Sequence, residues 1–288
     1  RRHTRYWRDW SSDVCSSDLD SANSTAVSLG FAGLTYGPGG GADESSQTLT
    51  YTITSIPAFI NIFKGDGTTP VLANSTVTAT ELQGLKYKSI ANANGAGNLV
   101  WTVVDNGGTA NGGVDTLVQS LSITVNAVND QPGRITGTLT PITVNEDSTN
   151  TTAGSFGFDG LTYGPGGGAD ESSQTLTYRI TSIPSFVTLF KSDGTTPVLA
   201  DSTLTVSELQ GLKYKTVPNA NGSGNLVWSI VDNGGTANGG VDTLIESLSI
   251  TVNAVNDAPV ATGSATLAAI AEDSTNPTGD TVSNLFGA

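Results

Sequence analysis

Acidic residues in this chain come in pairs that return at one spacing. Asp170-Glu171 repeats Asp43-Glu44, Asp232-Asn233 repeats Asp105-Asn106, and Asn256-Asp257 repeats Asn129-Asp130, each 127 positions on. Glu146-Asp147 returns as Glu272-Asp273, and its aspartate pairs with Asp20. Each pair taken alone is also ordinary turn chemistry, because Asp and Asn hydrogen-bond their own backbone in turns. Their joint recurrence at strand ends points further, to a hard cation. Calcium takes about 6–8 oxygens at roughly 2.3–2.6 Å and accepts carboxylate, carbonyl and amide oxygen alike. Other chemistries fail on spacing. The glycine-rich stretch GPGGGADES, at 37–45 and again at 164–172, lacks the Gly-Lys-Ser/Thr and the following helix of a phosphate loop. The acids do not alternate within one loop, as an EF-hand requires. One copy per 127 residues is not a calcium nonapeptide array either. A glycosidase-type carboxylate pair has nothing in the sequence to mark a cleft.

Composition narrows the field. The formal net charge is -14, from 12 Lys and Arg against 26 Asp and Glu. That argues against nucleic acid as a partner, since phosphate binding needs a basic surface. No apolar run is long enough to span a membrane, so membrane insertion is not expected. Residues 1–19 (RRHTRYWRDWSSDVCSSDL) stand apart: they hold the single His, the single Cys and two of the four Trp. This segment resembles a translated sequencing adapter, and the fold is read from Asp20 onward. From Asp20 to Ala288 there is no His, Cys or Met. Ser-His-Asp and Cys-His nucleophiles, thiolate or imidazole zinc sites and disulfides are therefore excluded there, and no enzyme activity is expected.

The elements that position the acids follow from self-similarity. Gly33–Asp130 aligns without gaps on Gly160–Asp257, with 18 differences over 98 positions. A third copy begins near Ala258. The domain reading is 20–130 for a first repeat short at its N-terminus, 131–257 for a complete second, and 258–288 for the start of a third. Alternation of period two predicts strands. Leu176, Tyr178 and Ile180 share one face, opposite Thr177 and Arg179. Leu226, Trp228 and Ile230 share another, and Leu244, Leu248, Ile250 and Val252 a third. Turns are expected at Ser192–Pro197, Asn219–Asn225 and Asp232–Gly240. A helical turn is expected in SELQGLKY, with Ser207 as its N-cap, and one strand over Arg134–Val144. Trp101 and Trp228 sit between inward-facing apolar residues and are read as core. Regular short strands with glycine-rich turns mean an all-β chain of tandem β-sandwich domains in a linear array. Each repeat is large enough to bury a core of its own.

The motifs resemble a known family. Glu146-Asp147-Ser148, Asp170-Glu171 leading into Leu176-Thr177-Tyr178, Val231-Asp232-Asn233-Gly234-Gly235 and the linker Val252-Asn253-Ala254-Val255-Asn256-Asp257-Ala258-Pro259 are similar to the markers of bacterial cadherin-like tandem repeats. The section from Leu204 to Tyr214 is similar to their chondroitin sulfate proteoglycan branch. The resemblance covers the chain from Asp20 onward and implies tandem cadherin-like or Ig-like β-sandwich domains with Ca2+ bound between successive domains. At the junction of copies one and two it implies Asn129 and Asp130 from the linker, Asp170, Glu171 and Asp232 from the following copy, and Asp20 from the preceding one. At the next junction it implies Glu146, Asp147, Asn256 and Asp257. Asp43, Glu44 and Asp105 are the copy-one equivalents. The chain departs from the pattern at Asn126 and Asn253, where cadherins usually carry Asp, at Gln131 in the first linker, and in Asp170-Glu171, which replaces an Asp-x-Asp pair.

The function expected is an extracellular structural or adhesive stalk of a large surface protein, stiffened by calcium, with neighbouring repeats of the same chain as partners. A self-assembling fibre joined by donor-strand addition is an alternative, because copy one lacks the strand equivalent to Arg134–Val144 and Pro259–Ala271 of a neighbour would fit its edge. A carbohydrate-binding module that takes surface glycans is a second alternative, although the sequence offers no exposed aromatic platform. Asn23, Asn74 and Asn150 sit in N-x-S/T triplets.

Overall fold

Residues 25–148, 152–259, 269–276 and 279 are described by the structure, a computed structural model. The first repeat forms β1 (Val27–Ser28), β2 (Leu49–Ser55), β3 (Ile60–Phe63), β4 (Pro70–Val71), β5 (Ser75–Val77), helix α1 (Ala79–Gln83), β6 (Lys86–Ser89), β7 (Gly95–Asp105) and β8 (Thr116–Val125). The linker and second repeat form β9 (Gly133–Thr136), β10 (Ile142–Asn145), β11 (Gly154–Ser155), β12 (Thr162–Gly164), β13 (Thr177–Ser182), β14 (Val187–Phe190), β15 (Pro197–Val198), β16 (Thr203–Leu204), helix α2 (Val206–Gln210), β17 (Lys213–Thr216), β18 (Gly222–Val231) and β19 (Thr243–Asn253).

Each repeat is a two-sheet sandwich. The first packs β5-β2-β7-β8 over β1-β6-β3-β4. The second packs β10-β19-β18-β13-β16 over β11-β17-β14-β15. Each sandwich encloses its own cluster of buried residues drawn from both sheets, so the repeats carry separate cores, as their length requires. The expected strand faces hold. Tyr178, Ile180, Leu226, Trp228, Ile230, Leu248, Ile250 and Val252 are buried, while Thr177 and Arg179 are exposed. Trp228 is wholly buried, with its ring 5.1 Å from that of Phe158. Trp101 is also buried and donates from Nε1 to the Tyr36 hydroxyl at 2.9 Å.

Three local expectations are corrected. The turn expected at Asn219–Asn225 ends early, because β18 starts at Gly222 and pairs Gly222 with Val252. Glycine reads as a turn, but here it makes room: a Cβ on Gly222 would stand 3.2 Å from the Phe186 ring, so the strand can run under the aromatic. The helix cap is Thr205, not Ser207. Thr205 Oγ1 accepts from Glu208 N at 3.2 Å and Glu208 Oε2 accepts from Thr205 N at 2.9 Å, a reciprocal capping box that Ser207 is placed too late to form. Lys191 anchors the same glutamate at 2.8 Å, and this bond holds the Glu208 carboxyl down at about 2.

The single strand expected over Arg134–Val144 is two. β9 pairs antiparallel with β12, whereas β10 runs parallel to β19 with Ile142 opposite Ile250. Gly137, at φ 87, and Pro141 stand between them and break the ladder, since proline donates nothing and the left-handed turn leaves the strand direction. In the first repeat β8 is an edge strand among the described residues. No helix among the described residues is long and apolar enough to cross a membrane, which says nothing of a β-barrel.

Candidate functional site: the seam between repeats

The linker makes its own bend before it meets anything. Asn129 Nδ2 donates to the Asp130 carbonyl at 3.2 Å, and Asn256 Nδ2 donates to the Asp257 carbonyl at 3.1 Å. Identical Asn-Asp dipeptides thus fold the chain back in the same way. Beyond this bend the two linkers part company. Asn256 and Asp257 are exposed, but Asn129 is buried in the second repeat. There the two hydrogens of Asn129 Nδ2 are shared with Asp232 Oδ1 at 3.0 Å and the Val241 carbonyl at 2.8 Å as well, and Asn129 Oδ1 accepts from Gln174 Nε2 at 2.8 Å. The Asn129 carbonyl accepts from Val241 N at 2.9 Å. One side chain therefore ties the linker to two loops of the following sandwich, the one before β13 through Gln174 and the one between β18 and β19 through Asp232 and Val241.

Asp130 continues the docking. Its backbone N–H donates to Glu171 Oε1 at 2.6 Å. Its carboxylate lies against the glycine triplet Gly166-Gly167-Gly168. A Cβ placed on Gly167 would overlap both Asp130 Oδ2 and Glu171 Oε2, so these two carboxylates sit side by side over a residue with no side chain. Gly167 has φ 27 and Gly166 φ 102. The first repeat closes the seam from the other side. Asn92, at φ 55, presses on Gly168, where a Cβ would stand 2.9 Å from the Asn92 carbonyl oxygen. Asn94 Nδ2 donates to Asp170 Oδ2 at 2.7 Å. Between them lies a cavity of about 10 Å3 lined by Asn92, Asn94, Val128, Asp130, Asp170 and Glu171, room for one atom-sized species.

Of the residues expected at this junction, Asn129, Asp130, Asp170, Glu171 and Asp232 do gather there. Asp130 and Glu171 converge, whereas Asp170 is turned to Asn94 and Asp232 to Asn129. Among the described residues no three acidic side chains converge tightly enough to hold a metal unaided. A cation here would draw on two carboxylates together with amide or carbonyl oxygens, a mixed set that calcium accepts. Asp232 does not line this cavity, but it is 5% exposed and its Oδ2 has no hydrogen-bond partner among the described residues. A buried carboxylate oxygen in that state is costly unless positive charge stands near it.

The remaining expected ligands lie at the outer ends of the repeats. Glu146 is buried and holds the outgoing linker: its Oε1 accepts from Val255 N at 2.7 Å, and its Oε2 faces Asn221 Nδ2 at 3.5 Å. Asp147 is exposed beside it, at φ 66. Asp43, Glu44 and Asp105 form the entry end of the first repeat. Asp43 is exposed and Glu44 half-buried, unlike buried Glu171 under its linker. Asp105 Oδ1 accepts from Gly107 N at 2.9 Å. Asp20 lies outside the described residues. Sequence reasoning missed Asn92 and Asn94. Their only signal is the turn string NANG, which looks like any other loop.

Asn129 is the most connected residue of the seam. Its truncation to alanine would leave Asp232, Gln174 and the Val241 carbonyl short of a buried partner. The expected cost is about 2–3 kcal/mol, read as a lower melting temperature of the second repeat and faster proteolysis across the linker. Unchanged proteolysis would show that the linker is held by other contacts.

No protein-family model matches the chain, and no curated protein does. Solved structures that match include the zebrafish RET cadherin-like domains 1 to 4, at 12% identity and a TM-score of 0.22, over 71% of this chain and 41% of that one. The CupB6 tip adhesin from Pseudomonas aeruginosa matches at 9% identity and a TM-score of 0.22, over 73% of this chain and 85% of that one. The N-terminal Ig1-2 module of the Drosophila receptor protein tyrosine phosphatase DLAR matches at 12% identity and a TM-score of 0.18, over 72% and 90%. At these TM-scores the likeness decides nothing about what the chain does, and function rests on the seam.

Proposed function

We propose that this chain is a stretch of an extracellular rod, structural or adhesive, whose joints are stiffened by calcium in the manner of bacterial cadherin-like repeats. The observation that carries the reading is the side-by-side placement of the Asp130 and Glu171 carboxylates over Gly167, next to a one-atom cavity lined from both repeats. Two like charges so placed repel unless a cation lies between or beside them. Asp130 and Glu171 would hold the ion, with Asp170 and Asp232 adding charge around it. Glu146, Asp147, Asn256 and Asp257 would play these parts at the next joint. The ion supplies neutralisation and a bridge. The chain supplies the register, because Asn129 fixes the linker whether or not the ion is bound.

The energetics are those of linkage. An ion bound only by the docked seam stabilises docking by about 2.7 kcal/mol when its concentration is a hundred times the dissociation constant. Millimolar calcium outside the cell matches the weak affinities of extracellular modules. Small-angle scattering of the chain in millimolar calcium and in chelator tests this. A longer, narrower distribution of maximum dimension is expected with calcium. The same distribution in both conditions would sink the reading.

A further inference from the structure

The cations of the fold are as unevenly placed as the anions. All six lysines lie on or beside one sheet of each repeat: Lys64, Lys86 and Lys88 at β1-β6-β3-β4 in the first, Lys191, Lys213 and Lys215 at β11-β17-β14-β15 in the second. The only other cations of the described repeats are Arg134 and Arg179, and both are paired, with Glu246 at 3.2 Å and Asp201 at 2.8 Å. Lys64 and Lys191 are paired as well, with Glu81 at 2.7 Å and Glu208 at 2.8 Å. Nearby Asp66 and Asp193 have both carboxylate oxygens engaged by the threonines just after them, and those bonds hold both carboxyls far below the ordinary range. Lys86, Lys213 and Lys215 form no ion pair among the described residues.

Strand register shows how these lysines are displayed. Ser155, Lys213, Phe190 and Pro197 line up in one row across β11, β17, β14 and β15. Ser28, Lys86, Phe63 and Pro70 form the same row in the first repeat. The alternating neighbours Tyr214, Leu189 and Val198 are buried, so each row faces away from the core. Lys215 stands two residues along on the same face with its ammonium 5.1 Å from the Phe190 ring centre, and Lys88 stands 5.2 Å from that of Phe63. The aromatic is only half-buried. The result is a flat strip of ring and proline edged by ammonium and hydroxyl groups, written once per repeat.

We infer that this face binds an acidic polysaccharide, a polymer of uronate-type sugars. A sugar ring lays its C–H face on the phenylalanine, its carboxylate meets a lysine, and its hydroxyls reach the serine and the neighbouring Asn61 or Thr188. A ligand that repeats suits a face that repeats, because a polymer reaching both copies gains by effective concentration with no new contact. A folded protein partner has no need of the same strip on successive domains. The inference does not depend on calcium in the seams.

The test uses the whole chain in chelator, with polygalacturonate as probe in affinity electrophoresis, neutral dextran as control and dextran sulfate as a polyanion without carboxylates. Retardation by polygalacturonate and none by dextran is expected. The quadruple variant K86Q/K88Q/K213Q/K215Q keeps the aliphatic stems and should melt as the parent does, with affinity lowered about tenfold or more. The pair K213Q/K215Q alone should lose most of the avidity, and Phe190→Ser should weaken binding without changing net charge. Absence of retardation, or equal binding by the quadruple variant, overturns the inference. Equal retardation by dextran sulfate overturns the uronate assignment. Lysine-dependent self-association in sedimentation, without polysaccharide binding, gives the face to a second copy and overturns it too.

Discussion

Replacing Gly167 by alanine is expected to abolish the proposed calcium-dependent stiffening while both sandwiches stay folded. The new Cβ falls where Glu171 Oε2 and Asp130 Oδ2 now lie, so at least one carboxylate must leave the cavity. The residue is also held at φ 27, where an L side chain adds strain of roughly 1–3 kcal/mol. Calcium affinity at the seam, measured by titration calorimetry, should fall roughly a hundredfold, the equivalent of about 2.7 kcal/mol. Scattering should then give one profile with and without calcium. The repeat supplies a control. Gly40 occupies the same place in the first copy, at φ 42 and crowded by Glu44, so Gly40→Ala carries comparable local strain and should leave the seam between the two repeats intact. If Gly167→Ala binds calcium as the parent does, the ion is not held by Asp130 and Glu171.

Trp228→Ala is expected to unfold the second repeat selectively. The indole is wholly buried and packs on Phe158. Removing it opens a cavity between the two sheets at a cost of about 3–5 kcal/mol, because a close-packed interior relaxes only in part. Each sandwich has its own core, so calorimetry should show two transitions, with the one belonging to the second repeat moved down and the other unmoved. The comparison is sharpest in chelator. If calcium bridges the seam as proposed, it couples the repeats, and part of the loss should then pass to the first. A single transition shifted as a whole in chelator would mean that the linker contacts of Asn129 already make the pair one cooperative unit.

The buried faces of the strands were legible in the residues. Tyr178, Ile180, Leu226 and Trp228 alternate with polar neighbours because a sandwich strand has one dry side and one wet side, and that period is local. The absence of His and Cys from Asp20 onward excluded whole classes of chemistry without any coordinates. Helix start and strand breaks were less legible. Thr205 and Ser207 are both good caps by type, and only the reach of Glu208 back to Thr205 decides between them. Gly222 and Gly137 look alike as letters, yet one lies within a strand and the other ends one, because what crowds each glycine comes from far along the chain.

The seam and the lysine strip belong to tertiary structure. The sequence by itself determined that acids recur in pairs and that lysines are few. It could not determine that Asp130 would stand beside Glu171 while Asp170 turned to Asn94 of the preceding repeat, nor that Lys213, Phe190 and Pro197 would share one row. Period and composition act between neighbours in the chain, whereas these groupings depend on loop closure and strand register between segments tens of residues apart, and those are settled only when the sheets pair and the sandwiches dock.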